Sequence, residues 1–288
     1  MTEDTGTDDL VAHRIRSARG FILDMDGTIA LGDASSGGHQ ALPGAVELLS
    51  ALRRRGTPFR VFTNGTGKPP AVYAAGLRKA GFDLEDHEMM TPSTSAAIWF
   101  SRRGIRKVRV LGNHGVAAPL IEAGIEVVGP AEDASGVEAV YTGWFREFTF
   151  PDMEAACRSV WDGAILTTAS HVPFFAANGG RAIGASFAIN TMITSLTGKR
   201  AKVLGKPARV ALDAARDSMG LPRSATRELV VVGDDPALEM RMANSAGALA
   251  LATTTGLFDA AALAAMPAHS APARAIGHLS EITRILAE

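Results

Sequence analysis

The sequence predicts an α/β fold built on parallel strands, and three observations support this prediction. Short apolar runs of strand length alternate with longer segments in which apolar residues recur at helical spacing, almost throughout the chain. Several of these runs are apolar at every position, as expected for strands that are buried on both faces. The 288 residues are 47% hydrophobic and 20% charged, which is enough apolar material for one large domain or two ordinary ones.

A first α/β unit occupies both ends of the chain. Three of its helices begin at Pro or Pro-Gly signals, and Gly81 ends one of them. The unit resumes after Gly205-Lys206-Pro207. The predicted strands are 21–24, 60–63, 229–232 and 248–253, and the predicted helices are 43–52, 70–80, 91–102, 210–219 and 238–245.

A second α/β unit begins at about Ile105 and interrupts the first. A stretch rich in Gly, Pro and aromatic residues, 170–184, is predicted to be irregular, and the polar residues 1–9 are predicted to form a frayed tail. The predicted strands are 108–111, 125–128, 139–142 and 164–168, and the predicted helices are 116–123, 152–161 and 185–196.

Composition excludes several classes of function. The net charge is −1 with no basic tract, so nucleic acid is not an expected partner. Cys157 is the only cysteine, which excludes an internal disulfide and a cysteine-based zinc site and predicts a small buried side chain. No apolar run of about 18 residues is free of charges or breakers, so no membrane association is expected. The acidic start of the chain is unlike a signal peptide, which favours a cytoplasmic protein.

The most informative segment is the strand 21–24, which runs into Asp24-Met25-Asp26-Gly27-Thr28. In an extended chain, residues i and i+2 point the same way, so Asp24 and Asp26 would project together from the carboxyl end of a strand. Two adjacent carboxylates repel each other unless a cation or a proton separates them. Oxygen ligands of this kind suit Mg²⁺, which usually takes one or two carboxylates together with substrate phosphate.

Three further signals follow predicted strands or precede helices: Thr63-Asn64-Gly65, Gly205-Lys206-Pro207 and Gly233-Asp234-Asp235. Together with the first segment they fit phosphoryl transfer, which needs an in-line nucleophile, positive charge on the phosphoryl oxygens and a proton for the leaving group. A carboxylate can act as the nucleophile, and a second carboxylate can act as the acid and base.

In this order the four motifs resemble the haloacid dehalogenase superfamily, and the large segment between the second and third resembles its p-nitrophenyl-phosphatase-like group. The resemblance covers about residues 18–258 and includes the Pro-Gly-Ala at 43–45. It implies a three-layer α/β/α Rossmann-like core of residues 1–104 and 200–288. It also implies an inserted α/β cap of residues 105–199, which sets substrate specificity.

The resemblance assigns roles to the first motif. Asp24 would be the nucleophile and a Mg²⁺ ligand. Asp26 would be the general acid and base, and its backbone carbonyl would bind the metal. Thr28 would help to orient Asp26.

The remaining motifs complete the implied site. Thr63 would bind a phosphoryl oxygen, Asn64 and Gly65 would line the pocket, and Lys206 would neutralise the phosphoryl group. Asp234 would be a further metal ligand.

The chain also departs from the group in four places. Gly65 stands where the group commonly has a second Asn after the hydroxyl of the second motif. The second acid of the last motif can be Asp235 or Glu239, with a slight preference for the adjacent Asp235. His171 stands where the cap of the group commonly has an acid, and either contacts substrate or is an ordinary loop residue. The loop 34–40 is longer than expected.

The sequence therefore predicts a Mg²⁺-dependent phosphatase that hydrolyses a small phosphomonoester, such as a sugar phosphate, phosphoglycolate or a nucleotide, through an aspartyl-phosphate. A catalytically quiet protein that binds a phosphorylated ligand is the alternative, and transfer to an alcohol instead of water stays open. The expected partner is a small phosphorylated metabolite. Caps of this group often pair, which suggests a homodimer formed through the cap.

Overall fold

A computed structural model describes residues 4–32, 38–177, 180–256 and 258–288. The chain divides into two compact units. Unit 1 comprises Met1–Thr63, Ala71–Met90 and Ala211–Glu288, and unit 2 comprises Asn64–Pro70 and Thr91–Val210. Unit 2 therefore extends beyond residues 105–199 at both ends and includes the short segment that follows Thr63.

The helices and strands alternate along most of the described chain. The helices are α1 (Asp4–Arg16), α2 (Ala45–Arg54), α3 (Pro70–Lys79), α4 (Pro92–Arg102), α5 (His114–Glu122), α6 (Phe150–Trp161), α7 (Ala185–Thr197), α8 (Arg209–Ser218), α9 (Arg241–Ala246), α10 (Ala260–Ala264) and α11 (Ser280–Ala287). The strands are β1 (Gly20–Leu23), β2 (Ala30–Gly32), β3 (His39–Ala41), β4 (Phe59–Phe62), β5 (Met89–Met90), β6 (Lys107–Leu111), β7 (Glu126–Val128), β8 (Ala139–Thr142), β9 (Ile165–Thr168), β10 (Phe174–Ala177), β11 (Gly180–Ile183), β12 (Lys202–Val203), β13 (Leu229–Gly233), β14 (Leu249–Thr253) and β15 (Arg274–Ile276).

Unit 1 contains a six-stranded parallel sheet in the order β15-β14-β13-β1-β4-β5. Strand β1 is central and buried at all four positions. In the register of the sheet, Leu23 lies beside Val232 on one side and Val61 on the other. Because all strands run the same way, the residues that follow β4, β1 and β13 emerge side by side at one edge of the sheet.

Unit 2 contains a five-stranded parallel sheet in the order β12-β9-β8-β6-β7. Ala139 and Tyr141 pack in one apolar cluster with residues of α4 and α5, whereas Val140 packs in another with residues of α6 and α7. Neighbouring residues of a strand face opposite sides of the sheet. The helices of unit 2 therefore cover both faces, and the predicted α/β class is confirmed.

Two local predictions were wrong. Helix α1 forms where a frayed tail was predicted, because Val11 and Ile15 on the helix are buried in the core of unit 1. Within the stretch predicted to be irregular, β10 and β11 pair as an antiparallel hairpin. An Asn-Gly pair at 178–179 is a strong hairpin signal in the sequence, although these two residues lie outside the described part of the chain.

Other details concern single residues and segments. Cys157 is buried and unpaired, as predicted, and burial raises the pKa of its thiol. The long loop predicted at 34–40 lies partly outside the described residues, because the description resumes at residue 38. Among the described helices, none is both long and apolar enough to cross a bilayer.

Candidate active site

Three of the predicted catalytic residues follow three adjacent strands of the unit 1 sheet. Thr63 follows β4, Asp24 follows β1, and Asp234 follows Gly233 at the end of β13. The strand order places Asp24 between the other two. The carboxyl edge of a parallel sheet is where ligands of open α/β folds bind, so this edge is the candidate active site of unit 1.

Asp24 is held by both its backbone and its side chain. Its backbone N–H donates to the carbonyl oxygen of Val232 at 2.9 Å, which extends the pairing of β1 with β13 by one residue. The Thr28 hydroxyl donates to Oδ2 of Asp24 at 3.2 Å, and both side chains are buried. The resemblance assigned Thr28 to Asp26, whereas the hydrogen bond in the structure joins Thr28 to Asp24.

The two carboxylates of the first motif lie in different environments. The chain turns after Asp24, and the N–H groups of Ile29 and Ala30 both donate to the carbonyl oxygen of Met25, at 3.1 and 3.0 Å. Asp24 is 8% exposed, whereas Asp26 on the turn is exposed. The turn therefore separates a fixed, buried carboxylate from one that solvent can reach.

The Asp234 carboxylate packs directly against two glycines. Gly27 has a φ of +79°, and a Cβ added there would overlap Asp234 Oδ2. A Cβ added at Gly256 would overlap the same oxygen. The Thr255 hydroxyl donates to the carbonyl oxygen of Gly27 at 2.8 Å. Thr255 and Gly256 were missed in the sequence because no motif or spacing links them to the first motif.

The two candidates for the second acid of the last motif make different contacts. Asp235 is half-buried, and its Oδ1 accepts the N–H of Ala237 at 2.8 Å, which caps the π-helical turn Pro236–Met240. Glu239 is 2% exposed, and its Oε2 accepts the N–H of Asp235 at 3.3 Å. The predicted helix at 238–245 thus starts earlier, with a turn that buries Glu239.

In unit 2, Asn64 and Lys206 are joined by a reciprocal pair of hydrogen bonds. Nδ2 of Asn64 donates to the carbonyl oxygen of Lys206, and Oδ1 accepts its N–H, each at 3.0 Å. Lys206 is 1% exposed. The preceding N–H, on Gly205, donates to the carbonyl oxygen of Ala169 at 3.1 Å. The carboxamide of Asn64 therefore fixes the backbone of the predicted phosphate-binding lysine, while Gly65 beside it is half-buried.

His171 lies on an exposed but well-anchored loop of unit 2. The carbonyl oxygen of Ser170 accepts the hydroxyls of Thr168 and Ser186 at 3.0 and 3.2 Å. The imidazole of His171 packs edge-on against the ring of Phe187, with centroids 5.1 Å apart. These contacts hold the loop in place and leave His171 accessible.

The donor set at the edge of unit 1 fits a Mg²⁺ ion. Among the described residues, no three His, Cys, Asp or Glu side chains converge as a ready-made metal site. Mg²⁺ needs fewer protein side chains, because it keeps several waters and is usually bound by one or two carboxylates and a substrate phosphate. Asp24 and Asp234 supply two such carboxylates, and at Gly27 and Gly256 the absence of a Cβ makes room for the Asp234 carboxylate.

Comparison with known proteins supports the resemblance seen in the sequence. A family model described as haloacid dehalogenase-like hydrolase matches residues 21–126, and a HAD-hydrolase-like model matches residues 203–282. The acid sugar phosphatase of Staphylococcus haemolyticus is 26% identical over 228 residues, which cover 76% of this chain and 79% of that protein.

Solved structures show the same fold over nearly the full chain. The 4-nitrophenylphosphatase of Thermotoga maritima gives a TM-score of 0.81 at 23% identity, covering 95% of this chain and 99% of that one. The glycerol phosphate phosphatase of Mycobacterium tuberculosis, solved in complex with magnesium, gives 0.78 at 24% identity, covering 93% and 77%.

Proposed function

The chain belongs to the haloacid dehalogenase-like hydrolases, among their phosphatases, and on that premise we propose that it is a Mg²⁺-dependent phosphatase of small phosphomonoesters. The single observation that carries the proposal is the row of Thr63, Asp24 and Asp234 at the carboxyl edge of three adjacent strands. Because one relative is an acid sugar phosphatase, sugar phosphates are the first class of substrate to test.

Asp24 is the proposed nucleophile. An oxygen of its carboxylate attacks phosphorus, the bond from phosphorus to the leaving-group oxygen breaks, and an aspartyl-phosphate forms. The hydrogen bonds from Thr28 and to Val232 hold this carboxylate in one orientation. A fixed nucleophile favours in-line attack, because less freedom is lost on reaching the transition state.

Asp26 is the proposed acid and base. It donates a proton to the departing alkoxide in the first step and takes a proton from water in the second, when water attacks phosphorus and releases Asp24. An exposed carboxylate two residues from the nucleophile suits both roles, because leaving group and water can reach it. The second step returns the proton to Asp26, so the cycle balances.

The phosphoryl oxygens are the proposed partners of Thr63 and Lys206. The hydroxyl donates a hydrogen bond, and the ammonium group offsets charge that spreads over the equatorial oxygens in the transition state. Asn64 acts through Lys206, because its carboxamide holds both backbone polar groups of that residue.

Asp24, Asp234 and the backbone carbonyl of Asp26 are the proposed holders of Mg²⁺. The ion supplies charge neutralisation and orientation of the phosphoryl group when bound. We further propose Glu239 over Asp235 as the second acid near this site, because Asp235 is engaged as a helix cap. Residues of unit 2, including His171, are proposed to select the leaving group.

Phosphate release from a panel of phosphomonoesters tests the proposal. The panel contains sugar phosphates, phosphoglycolate, nucleoside monophosphates and 4-nitrophenyl phosphate, each assayed with Mg²⁺ and with excess chelator. We expect turnover that requires Mg²⁺ and disappears in Asp24→Asn. The exposed Asp133→Asn in unit 2 is the matched control and should retain full activity.

Two outcomes would overturn the proposal. Turnover that survives Asp24→Asn would exclude Asp24 as the nucleophile. No turnover on any compound, with the folded protein still binding inorganic phosphate, would favour the quiet-binder alternative. Adding glycerol as an alcohol acceptor distinguishes transfer from hydrolysis, because transfer yields a new phosphomonoester instead of free phosphate.

A further inference from the structure

The loop that follows β14 lies at the carboxyl edge of the unit 1 sheet. Strands β13 and β14 are parallel neighbours, with Gly233 beside Ala252, so Asp234 and Thr253 come next to each other where the two strands end. The three residues after Thr253, 254–256, belong to none of the four motifs and have no role in the function proposed above. They nevertheless contact two of these motifs.

One contact is with the carboxylate of Asp234, which lies between two glycines of distant segments. Asp234 is 9% exposed. A Cβ added at Gly27, after β1, or at Gly256, after β14, would in each case overlap Oδ2 of Asp234. Backbone therefore encloses the carboxylate on two sides, and its position depends on where these two glycines lie.

The other contact is a hydrogen bond to the turn of the first motif. The Thr255 hydroxyl donates to the carbonyl oxygen of Gly27 at 2.8 Å. Because Gly256 is the next residue, one short segment both holds the turn and packs against Asp234. These contacts form a closed ring, whose members are Gly27, Thr255, Gly256 and Asp234.

Gly27 is a residue whose conformation has to be fixed by its neighbours. Its φ is +79°, and a glycine without further contacts has access to many other backbone conformations. The N–H of Gly27 donates to the carbonyl oxygen of Ala30 at 3.0 Å, which holds the peptide group before Gly27. The Thr255 hydroxyl holds the peptide group after it. Together the two hydrogen bonds restrict both backbone angles of Gly27.

The peptide group before Gly27 contains the Asp26 carbonyl, which is proposed to bind Mg²⁺. This peptide is trans, so its C=O and N–H point in opposite directions. Because the N–H is directed at Ala30, the carbonyl is directed away from Ala30. A rotation about the backbone of Gly27 would turn this carbonyl and would also shift the Cα that borders Asp234.

The loop is anchored to the sheet on its other side. Thr253 lies beside Ile276 in the pairing of β14 with β15. The N–H of Thr254 then donates to the carbonyl oxygen of Ile276 at 3.0 Å, which extends the contact with β15 by one residue. Thr255 therefore follows a fixed backbone, and its hydroxyl can hold the turn of the first motif in place.

We propose that Thr255 is a positioning residue of the Mg²⁺ site and that its hydroxyl raises the affinity of the site for the metal. The inference rests on the phosphatase function proposed above and adds a residue outside the four motifs. Thr255 acts through the Gly27 carbonyl, which keeps the Asp26 carbonyl and the Asp234 carboxylate in position. Ligands that are ordered before binding lose less freedom when the metal arrives, so the affinity is higher.

Metal binding by the substrate-free protein tests the proposal. Thr255→Val removes the hydroxyl and keeps the shape of the side chain. The Tm is measured over a Mg²⁺ titration at constant ionic strength, and the increase in Tm gives an apparent Kd, because an ion that binds the folded state stabilises it. We expect this Kd to rise about tenfold, the effect of one lost hydrogen bond. The Mg²⁺ concentration that half-activates turnover should rise by the same factor.

Two further variants assign the effect to the hydroxyl of Thr255. Thr255→Ser restores a hydroxyl and should recover most of the Mg²⁺ affinity. Thr283→Val is the matched control on α11, where the hydroxyl has no hydrogen-bond partner within the described part of the chain, and it should leave the Kd unchanged. The Tm of each variant in excess chelator verifies folding, and a purely structural role of Thr255 would lower this Tm alone.

The outcomes separate this inference from the proposed function. An unchanged Kd in Thr255→Val would overturn the inference, whatever happens to stability, and would leave the phosphatase assignment intact. An equal rise of the Kd in Thr255→Val and Thr255→Ser would overturn it as well, because the hydroxyl would then not matter. A wild type whose Tm and turnover both ignore Mg²⁺ would overturn the proposed Mg²⁺ dependence, and this inference with it.

Discussion

The two parallel sheets of this molecule share an architecture and differ in the residues that follow their strands. Carboxylates follow the central strands of unit 1, with Asp24 after β1 and Asp234 after β13. Lys206 and His171 follow the adjacent strands β12 and β9 of unit 2, in a segment without a single carboxylate. Both sheets are buried on their faces, so chemistry is confined to the edges where the strands end. The comparison teaches that the loops, and not the sheets, carry the residues that distinguish the proposed metal-binding edge from the edge that bears Lys206.

Removing the charge of Lys206 should have the largest effect among variants that test this comparison. Lys206→Ala should lower kcat/KM by on the order of 10²–10³-fold, as is typical when one charge-stabilising donor is lost. Asn64→Ala should lower it by about tenfold through misplacement of Lys206. Steady-state kinetics of both single variants and of the double variant measure the coupling.

The double variant decides how Asn64 acts. If Asn64 works only through Lys206, the double variant is no worse than Lys206→Ala, which is a strongly non-additive cycle. Fully additive losses would show that Asn64 contacts the substrate independently, and would contradict the positioning role that its two hydrogen bonds indicate.

A methyl group placed beside Asp234 should disrupt the proposed Mg²⁺ site at the carboxyl edge of the unit 1 sheet. Gly27→Ala places a Cβ on the Asp234 carboxylate and strains a backbone at a φ of +79°, so we expect weaker Mg²⁺ activation and about 100-fold lower kcat. Gly56→Ala is the matched control, because Gly56 also has a positive φ (+65°) but no atom within 4 Å of an added Cβ.

Titration of activity with Mg²⁺ separates the two glycine variants. Gly56→Ala should lose stability of about 1 kcal/mol from backbone strain and keep the wild-type Mg²⁺ dependence. An unchanged Mg²⁺ dependence in Gly27→Ala would show that the contact with Asp234 does not matter for the site.

Loss of the Thr28 hydroxyl, which donates to the proposed nucleophile Asp24, should have a moderate effect on the rate. Thr28→Val removes the donor to Asp24 and keeps the side-chain shape, so we expect kcat to fall by about tenfold, equivalent to about 1.4 kcal/mol. Thr28→Ser restores a hydroxyl and should recover most of the rate. Equal losses in the two variants would assign the effect to packing of the Thr28 methyl group.

The smallest effect is a change in stability, and it is expected for a substitution of Glu138 at the amino edge of the unit 2 sheet. Hydrogen bonds from the backbone N–H groups of Arg106 and Lys107 hold the pKa of Glu138 below its ordinary value of 4.5. A lowered pKa in the folded state stabilises the protein above the unfolded pKa, and this stability is lost as the pH falls through the folded pKa.

Glu138→Gln should therefore be slightly less stable than the wild type at neutral pH, and the difference in Tm should shrink as the pH falls below about 4.5. Activity should be unchanged, because Glu138 precedes β8, whereas Lys206 and His171 follow the strands at the opposite edge of the sheet. A difference in Tm that is constant with pH would show that its charge is not involved.

Much of the fold and part of the site could be predicted from the sequence. The strands were predictable because buried strands are continuous apolar runs, and the candidate site residues were predictable because they are polar and follow these runs directly. Specific side-chain contacts were not predictable, whether within a turn or between distant segments. The bond from Thr28 to Asp24 depends on the conformation of the turn between them. The packing of Gly256 on Asp234 and the pairing of Asn64 with Lys206 depend on how the strands are ordered.

Two elements were missed for local reasons. The hairpin of β10 and β11 lies in a stretch whose Gly and Pro content masked a two-residue turn signal. Helix α1 was missed because its start is polar and acidic, and its stability comes from packing Val11 and Ile15 rather than from helix propensity.

The central claim, that Asp24 carries the phosphoryl group during turnover, is tested most directly by trapping. Turnover in the presence of Mg²⁺ is quenched in acid and treated with borohydride, which reduces an acyl phosphate to homoserine, and the peptides are sequenced by mass spectrometry. The account predicts homoserine at Asp24, dependent on substrate and absent from Asp24→Asn. Homoserine at Asp26 or at Asp234 with an unmodified Asp24 would contradict it.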